Sequence, residues 1–347
     1  MKNTINTTMV IFCVVFLSCN SKEQDLVSFR SPPEANKKSI YSDFEIGDNE
    51  WYLTNPKDSV QLYLFEWGQG KDTVVVLHGG FGAEHRYLKD AFEGLYDKYH
   101  FVFYDQRGSL RSPCPKEKIS IQDHISDLEV IRKELGVEKL NLFGHSNGTT
   151  LASLYLREHP DRVKGFVMTA CMQMEYPIKE SDSVLKALEI LGYEDFNAYV
   201  ERQQVKDEIA KIEMDSTLSP AKKQFQIQRI NQAKWYIYDI SLWKNGKETY
   251  GPLYSQISGN ATVKSMQALL PNGYSNIQLY QNHPYPITII MGEKDMIDPD
   301  GHKFAHWTKN LSNVQHVLIA KASHDPWIDR PEAFKEAFIK AMEKIKS

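Results

Sequence analysis

Apolar residues recur along this chain with two different periods, and the switches between them outline its elements. Val60–Trp67 (VQLYLFEW) alternates and is rich in aromatics, so with the shorter Trp51–Leu53 it predicts a strand hairpin at a sheet edge. Thr73–Leu77 (TVVVL) is a continuous β-branched run, the pattern of a strand buried on both faces. Further strands are predicted at Phe101–Tyr104, Lys139–Phe143, Val163–Thr169, Ile287–Met291 and His316–Ile319. Between them lie helical periods: Arg86–Tyr99, Ile121–Leu135 with Gly136 placed to end it, and Asn147–Glu158 stopped by Pro160. The amphipathic Glu332–Ile345 closes the chain as a helix. Strands of buried type alternating with helices imply an α/β fold with a doubly wound, mostly parallel sheet.

The alternation stops between Cys171 and about Tyr285. There Ser183–Leu191, Phe196–Ile212 and Lys222–Tyr238 carry helix formers with polar faces. The expected division is a sheet-bearing core over 49–170 and 286–347, interrupted by a helical cap over 171–285. An independent partner-binding domain is the alternative. A long insertion at the C-terminal edge of a parallel sheet more often covers a ligand site.

Composition changes this picture only at the N-terminus. With 41 basic and 45 acidic residues and a formal charge of −4, the chain has no basic excess to favour nucleic acid or an anionic membrane surface. Lys2 and the apolar run Met9–Leu17 have the form of a secretory signal, too short to span a bilayer comfortably. Ser18-Cys19 at its end resembles the lipobox of bacterial lipoproteins. That resemblance implies removal of residues 1–18, lipidation of Cys19 and an exported protein held on a membrane, at a periplasmic or outer-membrane face. An uncleaved anchor or ordinary signal cleavage is the alternative. Residues 19–48, polar and containing Pro32-Pro33, read as a tether. Cys114 and Cys171 would then remain, too few and too widely spaced for a disulfide framework, and no Cys/His spacing resembles a zinc site.

The candidate chemistry sits where strands end. Gly144-His145-Ser146-Asn147-Gly148 is a G-x-S-x-G between a predicted strand and a predicted helix, the context in which a serine is presented as a nucleophile. A serine hydroxyl needs a base, and the base needs an orienting acid. Asp295 follows the strand Ile287–Met291, and His324 follows the next one, so both fall on the same sheet edge as Ser146. Asp298 is a rival acid, and His302, His306 and His316 are rival bases placed within a helix or strand. His78-Gly79-Gly80-Phe81-Gly82 follows Thr73–Leu77. The backbone N–H of Gly80 or Phe81, with that of Asn147, is the candidate oxyanion hole. The glycines match neither phosphate-binding pattern, and His78 reads as structural. Asp105 and Arg107 are expected to pair with one another under the site.

At these motifs the chain resembles the α/β-hydrolase fold family and, within it, the proline iminopeptidases. His78–Gly82 with His85, Tyr87 and Leu88 is similar to that family's HGGPG-x-x-H-x-Y-L segment, and Asp105–Ser112 to its DQRGxGxS segment. Ser146, Asp295 and His324 fall where the family keeps nucleophile, acid and base. Phe81, Leu110 and Asn147 depart from its usual proline, second glycine and tryptophan. The resemblance covers roughly 50–170 and 286–346 but not the cap. It implies release of an N-terminal residue from short peptides, the free amine being held by acidic cap residues. Glu175, Glu180, Glu194 and Asp195 are candidates for that task. A carboxylesterase with the same three residues and a non-catalytic binding protein on this scaffold are the alternatives. No metal or organic cofactor is implied.

Overall fold

The computed structural model describes residues 49–179, 181–246, 252–283 and 285–346. The expected signal segment 1–18, Cys19, the tether 19–48 and Glu180 lie outside the described residues.

The chain begins with strands β1 (Glu50–Thr54), β2 (Gln61–Trp67), β3 (Asp72–Leu77) and β4 (Tyr99–Tyr104). Helix α1 (Ile121–Glu134), β5 (Leu140–His145), α2 (Asn147–Glu158) and β6 (Val163–Thr169) follow. The insertion holds β7 (Glu175–Tyr176), α3 (Ser183–Val200), α4 (Gln203–Met214), α5 (Pro220–Ala233), α6 (Pro252–Leu269), β8 (Tyr274–Ser275) and α7 (Ile277–Asn282). The chain returns to the sheet with β9 (Ile287–Gly292), α8 (His302–Thr308), β10 (Val314–Ile319), α9 (Pro326–Asp329) and α10 (Pro331–Lys346).

The eight-stranded sheet has the order β1-β2-β4-β3-β5-β6-β9-β10. The β1–β2 and β2–β4 pairs are antiparallel, and the remaining pairs are parallel. The chain steps from β3 out to β4, then back across to β5, so the order reverses beside β3. That reversal leaves a crevice at the carboxyl ends of β3 and β5, where open α/β sheets take ligands.

Both faces are covered, as the continuous β-branched runs require. In β3, Val75 and Leu77 join one core with α1 and α2, whereas Val74 and Val76 join the other with α9 and α10. In β4, Val102 and Tyr104 face the first core and Phe101 and Phe103 the second. Each of these fully buried valines and leucines stabilises the fold by about 1.5–3 kcal/mol relative to exposure. Helix α10 seals its face with Phe334, Ala337, Phe338, Ala341, Met342 and Ile345, the spacing of one helical stripe. Helix α1 starts where the Ser120 hydroxyl accepts from Asp123 N–H.

Three expectations about elements need correction. No helix covers Arg86–Tyr99: the chain makes two short 3₁₀ turns, His85–Leu88 and Asp90–Phe92, and Gly94 at φ 82 reverses it before β4. The expected helix Phe196–Ile212 is two helices, α3 and α4, broken at Glu201-Arg202, and α5 stops at Ala233 rather than Tyr238. At both breaks the Arg202 guanidinium captures carbonyls, those of Tyr199, Lys234, Ile237 and Tyr238. Helix α6 lies outside the helical stretches that the sequence pattern predicts. The insertion carries a small core of its own, Val205, Ile212, Ile230, Ile240 and Trp243. No described helix is long and apolar enough to cross a membrane.

Candidate active site

Ser146 occupies the residue between β5 and α2 and holds φ 50, ψ −123. An L-residue adopts that backbone only at a cost of order 1–3 kcal/mol, so the surroundings must enforce it. They do so on both sides: Ser146 N–H donates to Thr169 O at 3.1 Å, and Ser146 O accepts from Thr149 N–H at 2.9 Å and from its hydroxyl at 2.6 Å. The turn needs small neighbours. A Cβ on Gly148 would stand 2.4 Å from Leu77 O, and one on Gly79 would stand 2.8 Å from both Ser146 Cβ and His145 Nδ1. Ser146 sits at the N-cap of α2, yet its side chain makes no capping bond there.

His324 and Asp295 are brought together on the same edge. His324 Nδ1 lies 3.0 Å from Asp295 Oδ1, and both side chains are buried. Asp295 Oδ1 also accepts from Ile297 N–H at 2.9 Å, which fixes the carboxylate. Burial alone would lower the His324 pKa, but the charge and hydrogen bond of Asp295 outweigh it and raise the value above the ordinary 6.5. The two loops are tied to each other. Lys294 N–H donates to Ala322 O, the Ser323 hydroxyl donates to Lys294 O at 2.9 Å, and Gly292 lies so close to Ser323 O that a Cβ would meet it at 2.1 Å.

Asp298 is engaged elsewhere, and the rival histidines lie within other elements. Both Asp298 oxygens accept backbone N–H groups of α8, from Lys303 and Phe304. His302 and His306 lie on α8, and His316 lies in β10, where burial lowers its pKa to about 4. Burial pushes the thiols of Cys114 and Cys171 up to about 12, which makes them poor nucleophiles.

The glycine-rich loop after β3 reaches the same place. Gly80 adopts φ 65 and its carbonyl accepts from Ala83 N–H, closing a tight turn. His78 is fully buried, with Nδ1 at 3.0 Å from Gly79 O and Nε2 accepting from Gln106 N–H at 3.0 Å. A chain of bonds joins this loop to Ser146's neighbour. Gly79 N–H donates to the Tyr87 hydroxyl at 2.6 Å, which lies 2.6 Å from His145 Nδ1, and the His145 ring stands 5.0 Å from that of His324. Tyr87 was visible in the sequence only as part of a motif. Its partner is 58 positions away, and no local pattern signals that contact.

Asp105 and Arg107 do not pair with each other. Asp105 accepts from His85 N–H and Nδ1 at 3.0 and 2.7 Å and faces Arg111 at 3.4 Å. Arg107 turns the other way and makes a fork with Asp127 at 2.6 and 2.7 Å, plus bonds to Asp58 and Lys118 O at 2.6 Å. Both are fully buried, so each requires a partner in its own layer. Glu84, His85 and Asp105 bring ligand-type atoms within 4.8 Å of one another. Arg86 and Arg111 already neutralise those carboxylates, so the cluster is an ion-pair network rather than a metal nest.

Three further residues stand at the site without any sequence signal. The Tyr236 ring lies edge-on to His324 with centroids 5.4 Å apart. Asp325 is 3.5 Å from His145 Nε2, and burial raises its carboxyl to about 7. Asp329, raised by burial to about 6, accepts backbone N–H groups from Tyr238, Asp239 and Ser323. Of the acidic candidates in the insertion, Glu175 is buried beside Lys179, and Glu194 and Asp195 are exposed on α3.

Residues 72–331 match the family model described as alpha/beta hydrolase fold. The chain is 25% identical to a proline iminopeptidase of Heyndrickxia coagulans over 283 residues, covering 79% of this chain and 92% of that protein. It is 31% identical to a proline iminopeptidase of Arabidopsis thaliana over 169 residues, 44% of this chain but only 41% of the relative's length. Its fold is similar to that of a thermophilic esterase from Thermogutta terrifontis, with a TM-score of 0.58 at 16% identity over 86% of this chain and 99% of that one.

Proposed function

The chain belongs to the alpha/beta hydrolase fold family, and on that footing we propose that it is a serine hydrolase working through an acyl-enzyme. His324 takes the hydroxyl proton as Ser146 Oγ bonds to a substrate carbonyl carbon, and Asp295 holds the imidazole and balances its charge. The N–H groups of Gly80 and Asn147, the latter at the positive end of α2, hold the oxyanion that forms. When the intermediate collapses, the imidazolium returns the proton to the departing amine or alcohol. Water, deprotonated by the same imidazole, then breaks the Ser146 ester. The observation that carries this reading is that the strained Ser146 turn and the buried His324–Asp295 pair both follow strands at the carboxyl edge of the sheet, with the ring of His145, next to Ser146, 5.0 Å from that of His324.

Within that class the best-supported substrate is a short peptide with a free N-terminus, cleaved after its first residue. Similarity to proline iminopeptidases over most of the chain supports it, as do the His78–Leu88 and Asp105–Ser112 segments. The insertion 171–285 is read as a cap that shapes the pocket. A carboxylesterase is the second reading, favoured by the exposure of Glu194 and Asp195 and the pairing of Glu175 with Lys179, which leave these three poorly placed to hold an amine.

The test uses the full chain and Ser146→Ala on prolyl- and alanyl-β-naphthylamide and on p-nitrophenyl acetate. Amide cleavage that depends on Ser146 and is lost when the substrate amine is acetylated is the expected result. Ester cleavage alone transfers the chain to the esterases, and full activity in Ser146→Ala removes the serine mechanism. The N-terminal run and Cys19 add a further element to this reading: export and a lipid anchor on a membrane.

A further inference from the structure

We propose that Asp329 is a positioning residue that sets the candidate base and one wall of its pocket as a unit; this rests on the reading of His324 as the base. Asp329 ends α9, five residues beyond His324, and is buried. Its Oδ2 accepts from Ser323 N–H at 2.9 Å, immediately before His324, and from Tyr238 N–H at 2.8 Å. Its Oδ1 accepts from Tyr238 N–H at 2.9 Å and Asp239 N–H at 3.0 Å. One carboxylate therefore joins two segments far apart in sequence, the base loop and the stretch that follows α5. A second bond runs alongside, from Asp325 N–H to Tyr236 O at 2.9 Å. Tyr236, which makes this second tie through its carbonyl, sets its ring 5.4 Å from the His324 ring.

The far side of the same stretch is also held. Arg202 donates to Ile237 O at 2.8 Å and Tyr238 O at 3.0 Å, and the Tyr199 hydroxyl donates to Ile237 O at 3.0 Å. The stretch is thus pinned between the insertion's arginine and the core's aspartate. The bonds of Arg202 and Asp329 are charge-assisted and made to backbone, so they fix where the chain runs rather than which side chains it carries. A base must be held close to its productive geometry, and displacement by about 1 Å costs on the order of 100-fold in rate. The Asp329 carboxylate spends its bonds on the backbone N–H groups of Tyr238, Asp239 and Ser323, so it acts through the two segments it joins.

The test compares the full chain with Asp329→Asn and Arg202→Gln, with Ser146→Ala as the blank. Active sites are counted by titration to completion with a fluorophosphonate, and kcat and KM for p-nitrophenyl acetate are taken per titrated site. Amide hydrogen exchange is followed over residues 234–240 and 321–325. Asp329→Asn is expected to speed exchange in both segments together and to lower kcat per site by on the order of 10- to 100-fold. Arg202→Gln, which leaves Asp329 in place, is expected to loosen 234–240 and lower kcat per site as well, and it carries the test if Asp329→Asn does not fold. Exchange that rises in one segment only in Asp329→Asn, or kcat per site unchanged in either variant, overturns the proposal. A wild-type chain without Ser146-dependent turnover of either p-nitrophenyl acetate or the naphthylamides sinks the hydrolase reading instead, and joint or separate exchange of the two segments still decides whether Asp329 couples them.

Discussion

At the scale of single residues, the raised pKa of His324 has a direct kinetic consequence. The imidazole must be neutral to accept a proton, and Asp295 holds its pKa above 6.5 against the opposing effect of burial. Turnover is therefore expected to be full at alkaline pH and to fall as pH drops through that raised value. Asp295→Asn removes the raising influence, so the acidic limb should move to lower pH while kcat falls by on the order of 10⁴-fold. A kcat/KM profile whose limb does not move in this variant would contradict the pairing. The placement of the candidates Ser146, Asp295 and His324 at strand ends was legible because each depends on local chain order: a G-x-S-x-G after a strand, or a short turn after a strand. Tyr87, Tyr236, Asp325 and Asp329 were not, since their roles come from partners that only folding brings near. The misreading of Asp105 and Arg107 has the same origin. Two residues apart in sequence, they leave β4 toward different layers and take their partners from elsewhere.

Elements were legible where one physical cause dominated. The strands buried on both faces appear in the sequence as unbroken apolar runs, and α10 appears as a clean stripe. The stretch after β3 failed because its buried Tyr87, Leu88, Ala91, Phe92 and Leu95 mimic a helical period, while Gly94 and the 3₁₀ turns set its course. Helix ends in the insertion failed because Arg202 decides them through carbonyl contacts that no local pattern encodes. Arg107 does comparable work in the core, locking the end of β4 to α1 through Asp127 and to the β1–β2 turn through Asp58. Asp127 also accepts from Asn55 at 2.8 Å, and with Arg107 it is fully buried. Asp127→Ala leaves a buried guanidinium short of its main partner, so it should destabilise the fold by about 3–5 kcal/mol. Urea unfolding of the two proteins measures this, and a loss under about 1 kcal/mol would mean that water or Asp58 takes over the charge.

At the scale of the whole molecule, the sheet and its layering follow from the alternation of buried strands with helices, and the sequence reading of an α/β-hydrolase fold agrees with the family model and with the sheet order. Strand order across the sheet was not legible, because period says which faces are buried but not which strands are neighbours. The insertion's helical content was legible, whereas the stretch that meets His324 was not. Its placement depends on Asp329 and Arg202 together. The proposed anchor belongs to this scale too, since it would confine the active site to a membrane surface. Cys19→Ala is expected to shift the protein from the membrane fraction to the soluble fraction after cell lysis. Unchanged membrane retention would rule out lipidation at that thiol.

The central claim is that Ser146 is an activated nucleophile, and covalent trapping tests it most directly. The full chain, Ser146→Ala and His324→Ala would each be treated with a fluorophosphonate and digested for mass spectrometry. A single adduct on Ser146, absent in Ser146→Ala and strongly slowed in His324→Ala, is the predicted result. No adduct, or an adduct on another residue that persists in Ser146→Ala, would contradict it.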